Sequence, residues 1–287
     1  MKKISIKIYG GLGNQMFQYA AGRALSLRNQ VPLYLDISWF SQKHEHTTIR
    51  TYQLDIFKNI TATIQKKLLF PCQDFLKRIK RYLPFSYTIR EPHFAYWPGF
   101  YKITPPATLD GYWQSEKYFI SFRNEILYDF TFPTLPKRAA QFSEDIKETP
   151  ESVSLHIRRG DYISNPQANA FHGNLQQDYY SKALQLIKDA CGKTRLFIFS
   201  DDPQWVRENF DCCGHDAVIV DLAFPNAPHH DMHLMSLCKH HIVANSSFSW
   251  WGAWLGTQQG ITIAPQAWSA DTGTDTSDIC PSTWIRL

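Results

Sequence analysis

Apolar and polar positions alternate along the chain in a way that predicts repeated strand–helix units. Residues 4–9 (Ile4-Ser5-Ile6-Lys7-Ile8-Tyr9) alternate with period two, as a half-buried strand does. Gly10-Gly11-Leu12-Gly13 interrupts the pattern. A helix is then expected from about Asn14 to Leu27, with Asn14 as its cap, before a second strand at Leu33-Tyr34-Leu35 that ends on Asp36. This is a βαβ unit with a glycine-rich turn after its first strand. The turn is not the GxGxxG dinucleotide signature, so it reads first as a tight strand-to-helix turn and only secondarily as a place where backbone approaches a ligand.

The middle of the chain is less regular. Residues 65–83 carry a basic helical pattern (Lys66, Lys67, Lys77, Arg78, Lys80, Arg81) interrupted by Pro71. It reads either as a solvated helix face or as a contact for an anionic membrane surface. An aromatic stretch follows (Phe94, Tyr96, Trp97, Phe100, Tyr101). A strand is expected over Leu109 to Trp113, and a helix from Glu116 with Ser115 as cap. Pro133, Pro136 and the polar residues up to Pro150 are expected to link two domains, 1–140 and 150–287, with the C-terminal tail packing back on the first.

Beyond Pro150 the alternation is clean. Strands are expected at 153–157, 196–199, 217–220, 241–244 and 261–264, and helices at 177–190, 203–210, 231–239 and 249–257. Repeating βα units predict a parallel sheet covered by helices, a Rossmann-like domain.

Three of these strands end in polar clusters. The first is His156-Ile157-Arg158-Arg159-Gly160-Asp161, the second Ser200-Asp201-Asp202, and the third Asn245-Ser246-Ser247-Phe248-Ser249. In a parallel sheet all three share the carboxyl edge, where open α/β sheets bind ligands. Arginine grips phosphate oxygens through a bidentate fork, and a serine-capped helix start offers further donors. A carboxylate beside them suits a base with N–H donors, as guanine has. The expectation is a nucleoside-diphosphate site.

Composition narrows the class. The 287 residues suffice for two domains, and a net charge of +4 implies no nucleic-acid partner. No apolar run is long enough for a membrane span, and no secretory leader is expected, so a cytoplasmic protein is predicted. The six cysteines form no CxxC pair. There is no Walker lysine motif and no GxSxG elbow, which argues against a P-loop kinase and an α/β hydrolase. His229, His230, Asp231 and His233 have the residue types of a metal cluster but no accompanying thiolate pattern. Asp201-Asp202 has the carboxylates for magnesium, yet two nearby arginines suffice to neutralise a diphosphate, so no metal is expected.

Five stretches carry a family resemblance: Gly10 to Tyr19 (GGLGNQMFQY), Tyr112 to Phe119 (YWQSEKYF), His156 to Tyr162 (HIRRGDY), Phe199 to Asp202 (FSDD), and Asp231-Met232 through Ala244 to Leu255 (ANSSFSWWGAWL). In this order they resemble the α-1,2-fucosyltransferases of glycosyltransferase family 11. The resemblance implies a GT-B fold, with two Rossmann-like domains facing across a cleft and the second holding GDP-β-L-fucose. It implies an inverting, metal-independent transfer of fucose to O2 of a terminal β-galactose.

Carried onto this chain, the resemblance makes Arg158 the grip on the β-phosphate, supported by Arg159. His156 and one of Asp201 or Asp202 would read guanine, while Ser246, Ser247 and Phe248 would form the phosphate-side loop. Gly11, Gly13, Asp161, Ser200 and Asn245 would also line the donor site. Asn14 and Gln15 would sit near the transferred sugar. The general base stays open between Asp36, Asp161, Glu116 and His172. The acceptor, free or lipid-linked, stays open as well. The alternatives are an α-1,6-fucosyltransferase of the same superfamily and a non-catalytic glycan-binding module.

Overall fold

The computed structural model describes residues 2–42, 50–65, 87–160, 175–222 and 227–287. It divides into two units, Met1–Thr131 and Phe132–Leu287.

The first unit is built on five parallel strands. In chain order they are β1 (Ile4–Lys7), β2 (Leu33–Asp36), β3 (Thr63–Ile64), β4 (Tyr87–Arg90) and β5 (Ala107–Asp110). Their order across the sheet is β3-β2-β1-β5-β4. Ile4, Ile6 and Ile8 are fully buried, as a central strand covered on both faces requires. The helix after β1 runs from Leu12 to Asn29, starting two residues before the expected Asn14 cap. Gly11, in extended conformation, is the N-cap, and no side chain caps the end. The start moves because Leu12 and Gly13 are themselves buried and pack as part of the helix. Gly22 lets this helix sit close on β1 and β2, since a Cβ there would lie 3.0 Å from Ile6 Cγ2.

Of the aromatic stretch Phe100 joins the core, while Phe94, Tyr96, Trp97 and Tyr101 are half-buried. Phe100, Trp113 and Tyr118 are wholly buried and meet edge-to-face or tilted at 4.7 to 5.3 Å. Ser115 caps as expected, accepting from the backbone N–H of Lys117, but over a short 3₁₀ turn, Glu116–Tyr118. The basic segment 65–83 lies, from Lys66 on, outside the described residues.

The second unit has six parallel strands: β6 (Ser152–Ile157), β7 (Arg195–Ser200), β8 (Asp216–Val220), β9 (His240–Ile242), β10 (Thr262–Ala264) and β11 (Ile285–Arg286). The order is β11-β10-β9-β6-β7-β8. Alternate β7 residues feed opposite faces. Leu196 and Ile198 join the layer formed with helix Gln177–Cys191, and Phe197 and Phe199 join that formed with helix His229–Leu237.

Two expectations fail here. The polar stretch read as a linker up to Pro150 contains a helix, Lys137–Glu148, whose Ala139 and Ile146 are buried against Phe197 and Phe199. Only a narrow apolar stripe is needed to dock a helix, and polar residues on its other faces hid that stripe. The tail adds β11 to the edge of the second sheet, beside β10, and Trp284 meets Trp250 at 5.5 Å.

Candidate functional site

The strand order makes β9, β6 and β7 consecutive neighbours, so the three polar clusters leave adjacent strands at one sheet edge. Asp201 ties the first two together. Its Oδ2 lies 2.8 Å from Arg158 Nη1, and its two oxygens accept the backbone N–H groups of Arg159 at 2.9 Å and Gly160 at 3.0 Å. Gly160 fits because a Cβ there would sit 2.6 Å from Asp201 Oδ2. Asp202 points elsewhere. Its Oδ1 caps helix Pro203–Asn209 through the N–H of Trp205, and Oδ2 stands 3.8 Å from Arg159 Nε. Ser200 Oγ accepts from the N–H of Asp202. The Arg159 guanidinium lies over Trp205, its Cζ 3.5 Å from the ring centre.

His156 joins the first cluster to the third, its ring 5.7 Å from that of Phe248. It is buried, and Nδ1 has no hydrogen-bond partner among the described residues. Burial pulls its pKa down to about 3. Arg158 pulls the same way and Asp201 opposes. The imidazole is therefore neutral at physiological pH, with a ring nitrogen that no described residue engages. In the third cluster Asn245 and Ser246 are nearly buried, and Ser246 caps helix Ser247–Trp254 by accepting from the N–H of Phe248.

The arrangement offers two guanidiniums, a serine-capped helix start and a neutral histidine on one edge, which suits a diphosphate and a base. It also separates the two aspartates by task. Asp201 positions the arginine loop, while Asp202 caps a helix. Asp161 and His172 lie outside the described residues.

Sequence reasoning missed a third carboxylate, weighing it only as a metal ligand. Asp231, on helix His229–Leu237, has its Oδ1 buried with no partner among the described residues, and burial, aided by Asp221, raises its pKa to about 7. The signal was a lone carboxylate in the first turn of a helix, among histidines. The metal reading of its neighbours gains no support. Among the described residues, it is Glu151, Cys191 and His240 that bring ligand atoms within 4.8 Å of one another. There, too, the imidazole is committed. Nδ1 accepts from the N–H of Ile261 at 3.0 Å, so Nε2 carries the proton and donates to Glu151 Oε2 at 2.7 Å. Lys239 occupies the other Glu151 oxygen. This triad braces the amino-terminal edge of the sheet.

In the first unit, Gln15 is buried and spent. Its Nε2 donates to the carbonyls of Gly10 and Thr51, and its Oε1 accepts from the N–H of Gln53. Asn14 Oδ1 accepts from Gln114 Nε2 at 2.7 Å, tying the glycine turn to the loop after β5. Gly11 is the helix N-cap and Gly13 is buried in the first helical turn. Asp36 Oδ1 accepts from the N–H of Ser38, and Glu116 opens the 3₁₀ turn. Sequence reasoning also missed Glu91, just after β4, because β4 is short and mostly exposed and lacks an apolar signature.

Two parallel, helix-covered sheets define the architecture of GT-B glycosyltransferases. The solved structure of an Arabidopsis thaliana FUT1 mutant in complex with GDP shares it, with a TM-score of 0.50 and 12% identity over 91% of this chain and 70% of that one. The family model for glycosyl transferase family 11 matches residues 2–287, and the chain belongs to that family. An Escherichia coli alpha-1,2-colitosyltransferase is 34% identical over 100% of this chain and 99% of its own. The Escherichia coli O-antigen biosynthesis glycosyltransferase WbnK is 34% identical over 97% of this chain and 98% of its own. A galactoside alpha-(1,2)-fucosyltransferase 2 from Oryctolagus cuniculus is 26% identical over 91% of this chain and 69% of its own.

Proposed function

We propose that this glycosyltransferase moves L-fucose from GDP-β-L-fucose to O2 of a terminal β-galactose in a glycan under assembly. The reaction takes place in the cytoplasm. The observation that carries the reading is the edge formed by β9, β6 and β7, where Arg158 and Arg159 stand beside a buried neutral His156 and a serine-capped helix start. The names of the relatives support an α-1,2 linkage and a glycan acceptor. Among the described residues no helix is long and apolar enough to cross a membrane.

In the proposed step the bond between fucose C1 and the β-phosphate oxygen breaks, and its electron pair leaves with GDP. Galactose O2 bonds to C1 from the opposite face and gives its proton to a base. Arg158 faces the growing charge on the leaving group, with Arg159 supporting. These cations do the work a divalent metal does in other transferases, so the step is written without one. Arg158 exchanges its partner Asp201 for phosphate oxygens, or bridges the two.

A second reading has one observation behind it. The colitosyltransferase relative covers the whole chain, and colitose is fucose without its 3-hydroxyl. The test is an end-point assay with GDP-fucose or GDP-colitose and a panel of β-galactosides, with and without EDTA, the product linkage read by NMR. EDTA-insensitive release of GDP with an α-1,2-fucoside is expected. Transfer from GDP-colitose alone selects the second reading, and an α-1,6 product overturns the linkage.

A further inference from the structure

The loops that follow β1, β2 and β5 in the first unit raise an aromatic shelf. Tyr9 meets Tyr112 edge-on at 5.1 Å and Trp39 at 6.4 Å. Tyr9 and Trp39 are half-buried, whereas Tyr112 keeps 39% of its surface exposed. Carboxylates stand at the same sheet edge. Asp36 ends β2, and Asp110, ending β5, pairs with Lys7 at 2.7 Å.

Tyr112 is not left to find its own orientation. Glu91 Oε2 accepts its backbone N–H at 2.7 Å, and Oε1 accepts that of Trp113 at 2.9 Å. The two successive N–H groups converge on one carboxylate, and Trp113 itself is in the left-handed region, with φ 56°. Such a concavity binds anions, and here the anion is the protein's own side chain. Gly111 makes room for it, since a Cβ there would lie 2.4 Å from Glu91 Cβ. The carboxylate is held against a cost. Burial raises its pKa to about 7, with the two N–H groups opposing. The residue fixed by that arrangement is one that keeps 39% of its surface exposed. A packing role needs no exposed ring, whereas a ligand-stacking role does. The face of β-galactose carrying H3, H4 and H5 is apolar and its hydroxyls donate, which matches an aromatic ring with carboxylates beside it.

We propose that Glu91 is a positioning residue that holds Tyr112 as the stacking wall for the acceptor galactose, with Tyr9 and Trp39 continuing the shelf. This rests on the β-galactoside reading above. Initial rates are measured on the full chain, varying β-galactoside at saturating GDP-fucose and the reverse. Tyr112→Leu should raise the acceptor KM about fivefold to tenfold, the worth of one aromatic contact, and leave the GDP-fucose KM in place. Tyr112→Phe, which keeps the ring, should stay close to wild type. Glu91→Gln replaces one acceptor oxygen by a donor facing an N–H, and should raise the acceptor KM in the same way.

If Glu91→Gln fails to fold, the Tyr112 pair still decides. An acceptor KM for Tyr112→Leu within about twofold of wild type, or equal shifts in both KM values, overturns the shelf while the transferase reading stands. Wild-type enzyme that transfers to no β-galactoside overturns the acceptor reading itself, and the shelf with it.

Discussion

Arg158 Nη1 lies 2.8 Å from Asp201 Oδ2, so the cation at the end of β6 is aimed by the carboxylate at the end of β7. The same carboxylate accepts the N–H groups of Arg159 and Gly160. In the proposed reaction, leaving-group stabilisation would therefore depend on two adjacent strands. Arg158→Ala should lower kcat by about 10²- to 10³-fold, the usual loss for one such donor. Thermal unfolding should change little, because the pair is only partly buried. Near-normal kcat would remove Arg158 from the leading role.

Gly160→Ala tests the loop without touching a charge. The new Cβ would sit 2.6 Å from Asp201 Oδ2, so the carboxylate must move and release Arg158. A loss of GDP affinity approaching that of Asp201→Ala is expected in calorimetric titration. Affinity equal to wild type would show that Asp201 does not need its present place.

Gln15 separates a structural role from a catalytic one. Its amide makes three hydrogen bonds inside the first unit. Gln15→Leu removes three hydrogen bonds, at about 0.5–1.5 kcal/mol each. The midpoint of urea unfolding should fall clearly. An unchanged midpoint with abolished turnover would return Gln15 to the transferred sugar.

The two units should respond to acid in opposite directions. Burial pulls His156 and His241 down to about 3, and His229 and His233 to about 4. Below the ordinary value near 6.5 the unfolded chain takes up these protons and the folded second unit does not, so its stability falls as pH falls. For each wholly buried histidine the slope reaches about 1.4 kcal/mol per pH unit. Asp231, raised to about 7, opposes but is outnumbered. In the first unit Glu91 is likewise raised to about 7. The folded state binds its proton first, so that contribution is fully present below the unfolded value and is lost as pH rises through 7. Hydrogen exchange at pH 7.5 and 5.5 should show β6 amides losing protection relative to β1 amides. Equal loss in both would contradict the balance.

The second unit was readable because its central strands, β6, β7 and β9, are buried on both faces and end in turn residues at regular intervals. Runs such as Leu196 to Phe199 announce themselves, and the polar clusters mark their carboxyl ends. Helix Lys137–Glu148 was not readable, since two buried residues carry its docking and prolines flank it. The site was legible as a set of residue types but not as a division of labour. Nothing in Ser200-Asp201-Asp202 tells which aspartate turns back to Arg158 and which caps a helix, because that depends on strand order. Glu91 was invisible for a related reason. Its partners are 21 and 22 residues away, in the loop after the neighbouring strand.

The pairing of β1 with β5 has a consequence for the order of events during synthesis. Ile4 lies opposite Ala107, and Lys7 reaches Asp110 across 103 residues of chain. A nascent chain can pair β1 with β2 early, yet the other flank of β1 stays open until β5 has left the ribosome. Through that interval a strand carrying Ile4 and Ile6 presents an unpaired edge, the condition under which parallel sheets are slowest to close and most exposed to wrong partners. Translation speed between residues 40 and 110 should therefore govern yield more strongly than speed later in the chain.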